Sequence, residues 1–216
     1  MKKKLLLMIL LCASFQAFSQ TIALKIGATG SKWIGNDGFL GVFDLTHQKR
    51  LSSINIGLSA TFPLPVKSLS INPEIFITKR GIKGYDWDYY DDYELKIVTN
   101  AIEIPVLLRY DYSITEQIGI YGFAGPSLVL GLNGKVTETD GNSVSSEKIV
   151  YGKESISKND IGFSLGIGAS YILGKGSVFA DVRGFNGFTD VEPDIKSITF
   201  RNGALSIAFG YRFNLK

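Results

Sequence analysis

From Ile22 to Phe213 the chain changes character at every second residue, and this period constrains what it can fold into more than any other property. In the last such stretch Leu205, Ile207, Phe209, Tyr211 and Phe213 share one face, while Asn202, Ala204, Ser206, Ala208, Gly210 and Arg212 share the other. Ile161, Phe163, Leu165, Ile167 and Tyr171 oppose Gly162, Ser164, Gly166, Gly168 and Ser170 in the same way. Ile102, Ile104, Val106, Leu108, Tyr110 and Tyr112 oppose Glu103, Leu107, Arg109 and Asp111. Residues two apart lie on one side of a β-strand, whereas a helix would need an apolar stripe at spacings of three and four, which no segment here sustains. The 24 glycines and 12% aromatic content, against 6 prolines and 2 methionines, fit an all-β chain and argue against a helical bundle, a coiled coil or a disordered tail.

The pattern predicts eight strands, over residues 22–33, 52–63, 68–81, 96–112, 117–132, 160–173, 177–188 and 199–213. Long connections (34–51, 82–95, 133–159 and 189–198) alternate with short ones around residues 64–67, 113–116 and 174–176. Short joins at one end and long joins at the other are the sign of an up-and-down antiparallel sheet whose two termini lie at the short-turn end.

Which face points inward decides the solvent. In a water-soluble barrel the bulky face would fill the interior and the outside would be rich in Lys, Glu and Thr. Here the second face is Gly, Ala and Ser with a few charges, which makes a poor water-facing surface but suits a narrow lumen. Both faces are satisfied by an inside-out arrangement, with apolar residues toward lipid and small or polar residues toward the lumen. The expected fold is therefore a closed eight-stranded antiparallel up-and-down transmembrane β-barrel. Phe62, Tyr110, Tyr112, Tyr171, Tyr211 and Phe213 all fall at the short-turn end of an even-numbered strand and on its apolar face, as one aromatic girdle of such a barrel would.

Residues 1–19 read as a signal peptide preceding a barrel domain over 20–216. Lys2, Lys3 and Lys4 form a basic start, Leu5 to Ala13 an apolar run, and Ala17-Phe18-Ser19 places small residues three and one positions before a cleavage site at Gln20. The apolar run is well short of the roughly 20 residues that a membrane-spanning helix needs. Cys12, the one cysteine, lies within it; a lipidated cysteine there would be preceded by the bulky Leu11 where small residues are required. The formal charge of +3 belongs to this segment: without its three lysines, Lys+Arg falls from 23 to match the 20 acids. A basic surface for nucleic acid is thus not expected.

Three stretches carry a resemblance to a known family. They are Asn100-Ala101-Ile102-Glu103-Ile104-Pro105-Val106-Leu107-Leu108-Arg109-Tyr110, then Tyr121-Gly122-Phe123-Ala124-Gly125-Pro126-Ser127, and the ending Phe209-Gly210-Tyr211-Arg212-Phe213. Together with the rest of the chain from residue 20 they resemble the outer-membrane β-barrel domain proteins of the PorT-like, "porin family" type found in Bacteroidota. The resemblance implies an outer-membrane location, insertion by the barrel assembly machinery and contact with outer-membrane lipid. It transfers no catalytic residue.

The charges in phase with the lumen are Lys25, Glu74, Glu103, Arg109, Asp181, Arg183 and Arg212, with Arg80 near the rim. Buried charges are costly unless paired, so these are expected to form an interior polar network that plugs the barrel. Outside that phase, residues 85–94 interleave five acids (Asp86, Asp88, Asp91, Asp92, Glu94) with five aromatics, a composition suited to a divalent cation or a sugar but lacking the glycine turn of a dedicated calcium loop. The one histidine, His47, lies in the first long connection with Asp44, Ser52 and Ser53 nearby, the residue types of a hydrolytic or acyl-transfer site. The polar, Thr/Ser-rich stretch 134–158 is the most exposed place for a partner to bind and could extend its flanking strands. No cofactor motif is present. These observations support a monomeric, non-enzymatic barrel with a structural or surface-interaction role, with a narrow porin and a lipid A-modifying enzyme as the alternatives.

Overall fold

The computed structural model describes residues 21–35, 49–85, 93–151, 156–191 and 199–215. Among these there are nine strands: β1 (Thr21–Ile34), β2 (Lys49–Pro63), β3 (Leu69–Tyr85), β4 (Tyr93–Ser113), β5 (Ile118–Asp140), β6 (Ser143–Ile149), β7 (Asn159–Leu173), β8 (Gly176–Gly187) and β9 (Arg201–Asn214). Each pairs antiparallel with its neighbours. β1 joins both β2 and β9, and β4 joins β5, so that eight of the nine close into a ring while β6 pairs only with β5. Closure leaves the ring without an open edge, which is what a sheet needs to cross hydrocarbon, where an unpaired backbone group has no water to bond.

Short turns connect β2 to β3, β4 to β5 and β7 to β8 at one end. The tightest is Gly174-Lys175, where Leu173 faces Gly176 directly. At the next, Thr115 Oγ1 accepts the backbone N–H groups of Gln117 (3.2 Å) and Ile118 (2.9 Å).

Bulky apolar side chains stand on the outer wall throughout. Ile54, Ile77, Ile167 and Phe209, on four different strands, are 60–70% exposed, whereas Lys25, Glu74, Arg183 and Ser164 are at most 5% exposed. The inside-out assignment is thus the structure's own. Among the described residues no helix is long and apolar enough to cross a membrane; the strands make the crossing.

The structure departs from the sequence expectation at the other end. Residues 133–149, read as loop, are largely strand: β5 runs eight residues past its expected end to Asp140, turns at Gly141-Asn142, and returns as β6. Gly141 has φ +54°, the backbone that the first central position of a two-residue hairpin turn requires. The pairing of β4 with β5 slips at the junction, from Asn100↔Asn133 to Ala101↔Gly131, leaving Leu132 as an extra residue. Such a bulge bends its strand. Above it the ends of β3, β4 and β5, with β6, form a four-stranded sheet that continues beyond the ring.

Candidate functional site

The lumen is filled in layers, beginning with the rings that its small residues admit. Sequence phase places glycine and alanine on the inner face; the structure adds Phe76, Tyr121, Phe123, Phe179 and Phe185 there, all buried. A Cβ at Gly166 would collide with the ring of Phe123, and one at Gly168 with that of Tyr121. Glycine on one strand is therefore the space into which an aromatic from the next strand projects. The inner wall is not uniformly small. It pairs small with large across neighbouring strands, as a narrow barrel must.

Lys25 of β1 lies at the centre of the main polar layer. Its Nζ is 3.1 Å from Glu74 Oε1 and 2.9 Å from Asp181 Oδ2. The other oxygen of Glu74 accepts from Arg183, and Asn72 Nδ2 donates to Glu74 Oε1 at 2.7 Å. The Lys25 ammonium also lies 5.5 Å from the ring centres of Phe76 and Phe179. Ionic partners and ring faces together replace the water these charges lose. Tyr121 extends the layer by donating its hydroxyl to Asp181 Oδ2 at 3.2 Å.

Toward the long-connection end Arg80 pairs with Glu103 and stacks 4.6 Å over Phe185. Between this pair and the central layer lies a cavity of about 20 Å³ bordered by Asn55, Thr78, Glu103 and Arg183. Asn55 Oδ1, Thr78 Oγ1, Glu103 Oε1 and Arg183 Nε have no partner among the described residues, and the space is about one water in size. Above these polar layers Trp33, Ile97, Ile149 and Val191 pack as a buried apolar cluster, with Ile82, Leu95, Val136, Tyr151, Ile156 and Phe200 against it. The extended sheet thus contributes an apolar cap over the lumen. Its β6 component, Ile149, lies within the long connection 133–159, where the residue pattern shows no strand of its own.

Toward the short-turn end Arg109 holds Asp111 with both Nε (2.9 Å to Oδ2) and Nη2 (2.7 Å to Oδ1), and its guanidinium lies 3.6 Å over the Tyr121 ring. Arg212 lies over the same ring at 5.8 Å and over Phe179 at 5.4 Å, but among the described residues it forms no ion pair. Of the eight charged residues in lumen phase, the structure joins Lys25, Glu74, Asp181 and Arg183 in one cluster and Arg80 with Glu103 in a second, and leaves Arg109 and Arg212 at the short-turn end, where Asp111 joins Arg109.

On the outer wall Tyr110, Tyr112, Tyr171 and Phe213 are exposed, and Phe62 and Tyr211 are half-buried. All six lie toward the short-turn end. The Tyr211 ring meets Phe213 edge-on at 4.6 Å, and its hydroxyl donates to Leu173 O at 3.2 Å. Ala17, Ser19, Gln20, Asp44 and His47 lie outside the described residues. So does most of the Asp/Tyr-rich run, although its two ends, Tyr85 and Glu94, pair across β3 and β4, and Glu94 bridges to Lys83 at 2.9 Å. Among the described residues no group of three His, Cys, Asp or Glu is arranged to hold a metal.

An apolar outer wall around a charged, hydrogen-bonded interior defines a protein that crosses a bilayer on a closed ring of strands. The chain belongs to the outer membrane protein beta-barrel domain family, whose model matches residues 18–192, and its place is the outer membrane of a Gram-negative bacterium. The match is to the domain family as a whole and does not distinguish its PorT-like branch. No curated protein matches the chain. Among solved structures it is similar to Ail, the attachment invasion locus protein of Yersinia pestis, with 15% identity and a TM-score of 0.43 over 89% of this chain and 98% of that one. It is likewise similar to OprG from Pseudomonas aeruginosa (12% identity, TM-score 0.46, 91% and 97%) and to the outer membrane enzyme PagL (14% identity, TM-score 0.45, 90% and 99%).

Proposed function

We propose that this protein is a closed, non-conducting, non-enzymatic outer-membrane barrel with a structural or surface-interaction role, exercised through the sheet raised by β3, β4, β5 and β6. The observation that carries this reading is the filled interior. The Lys25–Glu74–Arg183 layer is almost wholly excluded from solvent, and the Trp33–Ile97–Ile149–Val191 cluster lies over it. A pore would need a continuous polar passage through both layers. The binding surface then lies outside, where β6 presents Val144, Ser146 and Glu147 on an exposed strand at the end that faces the exterior in barrels of this kind.

The remaining parts fit this role. Phe62, Tyr110, Tyr112, Tyr171, Tyr211 and Phe213 sit at the headgroup level of one leaflet. Residues 1–19 direct export and are cleaved before Gln20, and the barrel assembly machinery inserts the chain. The closed ring functions as a monomer.

Planar-bilayer recording of the purified protein tests the reading. The expected result is no stepwise conductance. Reproducible single-channel steps would replace it with a narrow porin, and an altered lipid A profile on overexpression, lost on His47→Ala, would replace it with a lipid-modifying enzyme.

A further inference from the structure

The short-turn mouth of the lumen holds a charge that the rest of the interior does not match. Arg212 is half-buried, with the Tyr121 and Phe179 ring centres 5.8 and 5.4 Å from its guanidinium, yet among the described residues no carboxylate lies within ion-pairing distance of it. Of the acids whose charge acts on it, Asp111 and Asp181, Asp111 already accepts both arms of Arg109 and Asp181 is held by Lys25 and Tyr121. Each of the other arginines in lumen phase, Arg80, Arg109 and Arg183, has a carboxylate partner, whereas Arg212, only half-buried, stays open to the mouth of the lumen. In front of Arg212 lies a vestibule of about 220 Å³, bordered by Asp111, Ser170, Ser177 and Asn214 and by Glu116 on the turn between β4 and β5.

We propose that this vestibule is a carboxylate-binding site facing the periplasm, with Arg212 as the residue that grips the anion. The Tyr121 and Phe179 rings flank the guanidinium at 5.8 and 5.4 Å, and its open edge can make a two-point contact with a planar carboxylate. The hydroxyls of Ser170 and Ser177 stand on the same wall as further donors. The surrounding charge selects against a dianion: Asp111 and Glu116 would repel a phosphate monoester, whereas one negative charge matches the single unpaired fork. The volume admits an acetate-sized group or the end of an extended peptide, both of which present the same carboxylate.

The test uses the full barrel in lipid nanodiscs and follows the arginine Nε–H signals by NMR while acetate, N-acetyl-diglycine, its C-terminal amide or inorganic phosphate is added. The expected result is a saturable shift at Arg212 and at neighbouring Arg109, over the same Tyr121 ring, with one or both carboxylates and none with the amide; in Arg212→Gln the Arg109 signal reports binding, weaker by about tenfold or more. A stronger response to N-acetyl-diglycine identifies a peptide terminus as the ligand source, and a stronger response to acetate a free solute. Heat-modifiable gel migration shows whether the variant still folds; if it does not, the wild-type titration decides alone. No saturable change at Arg212, equal affinity in folded Arg212→Gln, equal binding of the amide, or tighter binding of phosphate would each overturn the assignment.

Discussion

Glu74 carries more of the interior than any other residue, because two cations and an amide converge on one buried carboxylate. Replacing it with alanine leaves Lys25 and Arg183 charged and enclosed, and we expect Glu74→Ala to cost roughly 3–5 kcal/mol in urea unfolding of the barrel in lipid vesicles. Asp111→Asn is the contrasting case. Its side chain is 42% exposed at the mouth of the lumen, although that of Arg109 is only 5% exposed; the amide oxygen of Asn still accepts from Arg109, so the expected cost is smaller, about 1–2 kcal/mol. Gly166→Val tests the small-against-large packing: the new side chain meets both the Phe123 ring and the Val182 carbonyl, an overpacking worth about 1–3 kcal/mol in the same measurement. The inner phase of Lys25, Glu74 and Arg183 can be read from the sequence, since period two is local. Their partnership cannot, because the contacts join residues 49 and 109 positions apart. The inner rings escape for a related reason: Phe123 beside Gly122 and Ala124 looks like any strand aromatic until Gly166, on the neighbouring strand, is known to face it.

At the level of elements, the eight ring strands are legible because each sets an apolar face against a small or polar one. The top of β5 and the whole of β6 are not, because Lys135 to Lys148 is polar on both faces and lies beyond the lipid that imposes the pattern elsewhere. A local signal was nonetheless there. Asp140-Gly141-Asn142-Ser143 has the glycine-led two-residue turn of a hairpin, flanked by Thr and Val at strand positions. The hairpin adds its own pairs to β5 without replacing those that close the ring, since β5 meets β7 only through residues 118–130. Shortening it, by joining Val136 to Glu147 through an Asn-Gly turn, keeps Val136 and Ile149 in the cap. That variant is expected to retain the heat-modifiable migration of the wild type and to change unfolding free energy by no more than about 1 kcal/mol. Loss of the folded band would show instead that the barrel depends on its raised sheet.

For the whole molecule, the account rests on one inversion: the bulky residues face outward and the charges inward. The excess of +3 lies in the first four residues, and the balanced remainder is divided between exposed ends and an interior where, among the described residues, most charges find partners. Among the described residues Arg212, at the short-turn end, forms no ion pair. The inversion is tested most directly with a nitroxide label placed in turn at Ile56, Ile77, Ile167 and Ile207, outward positions on four strands of the ring, each 48–70% exposed. In bilayer vesicles all four labels should collide readily with dissolved oxygen, which concentrates in lipid, and little with a water-soluble nickel complex. Labels that meet nickel freely at these positions would mean that the apolar face does not lie against lipid, and the inside-out barrel would be wrong.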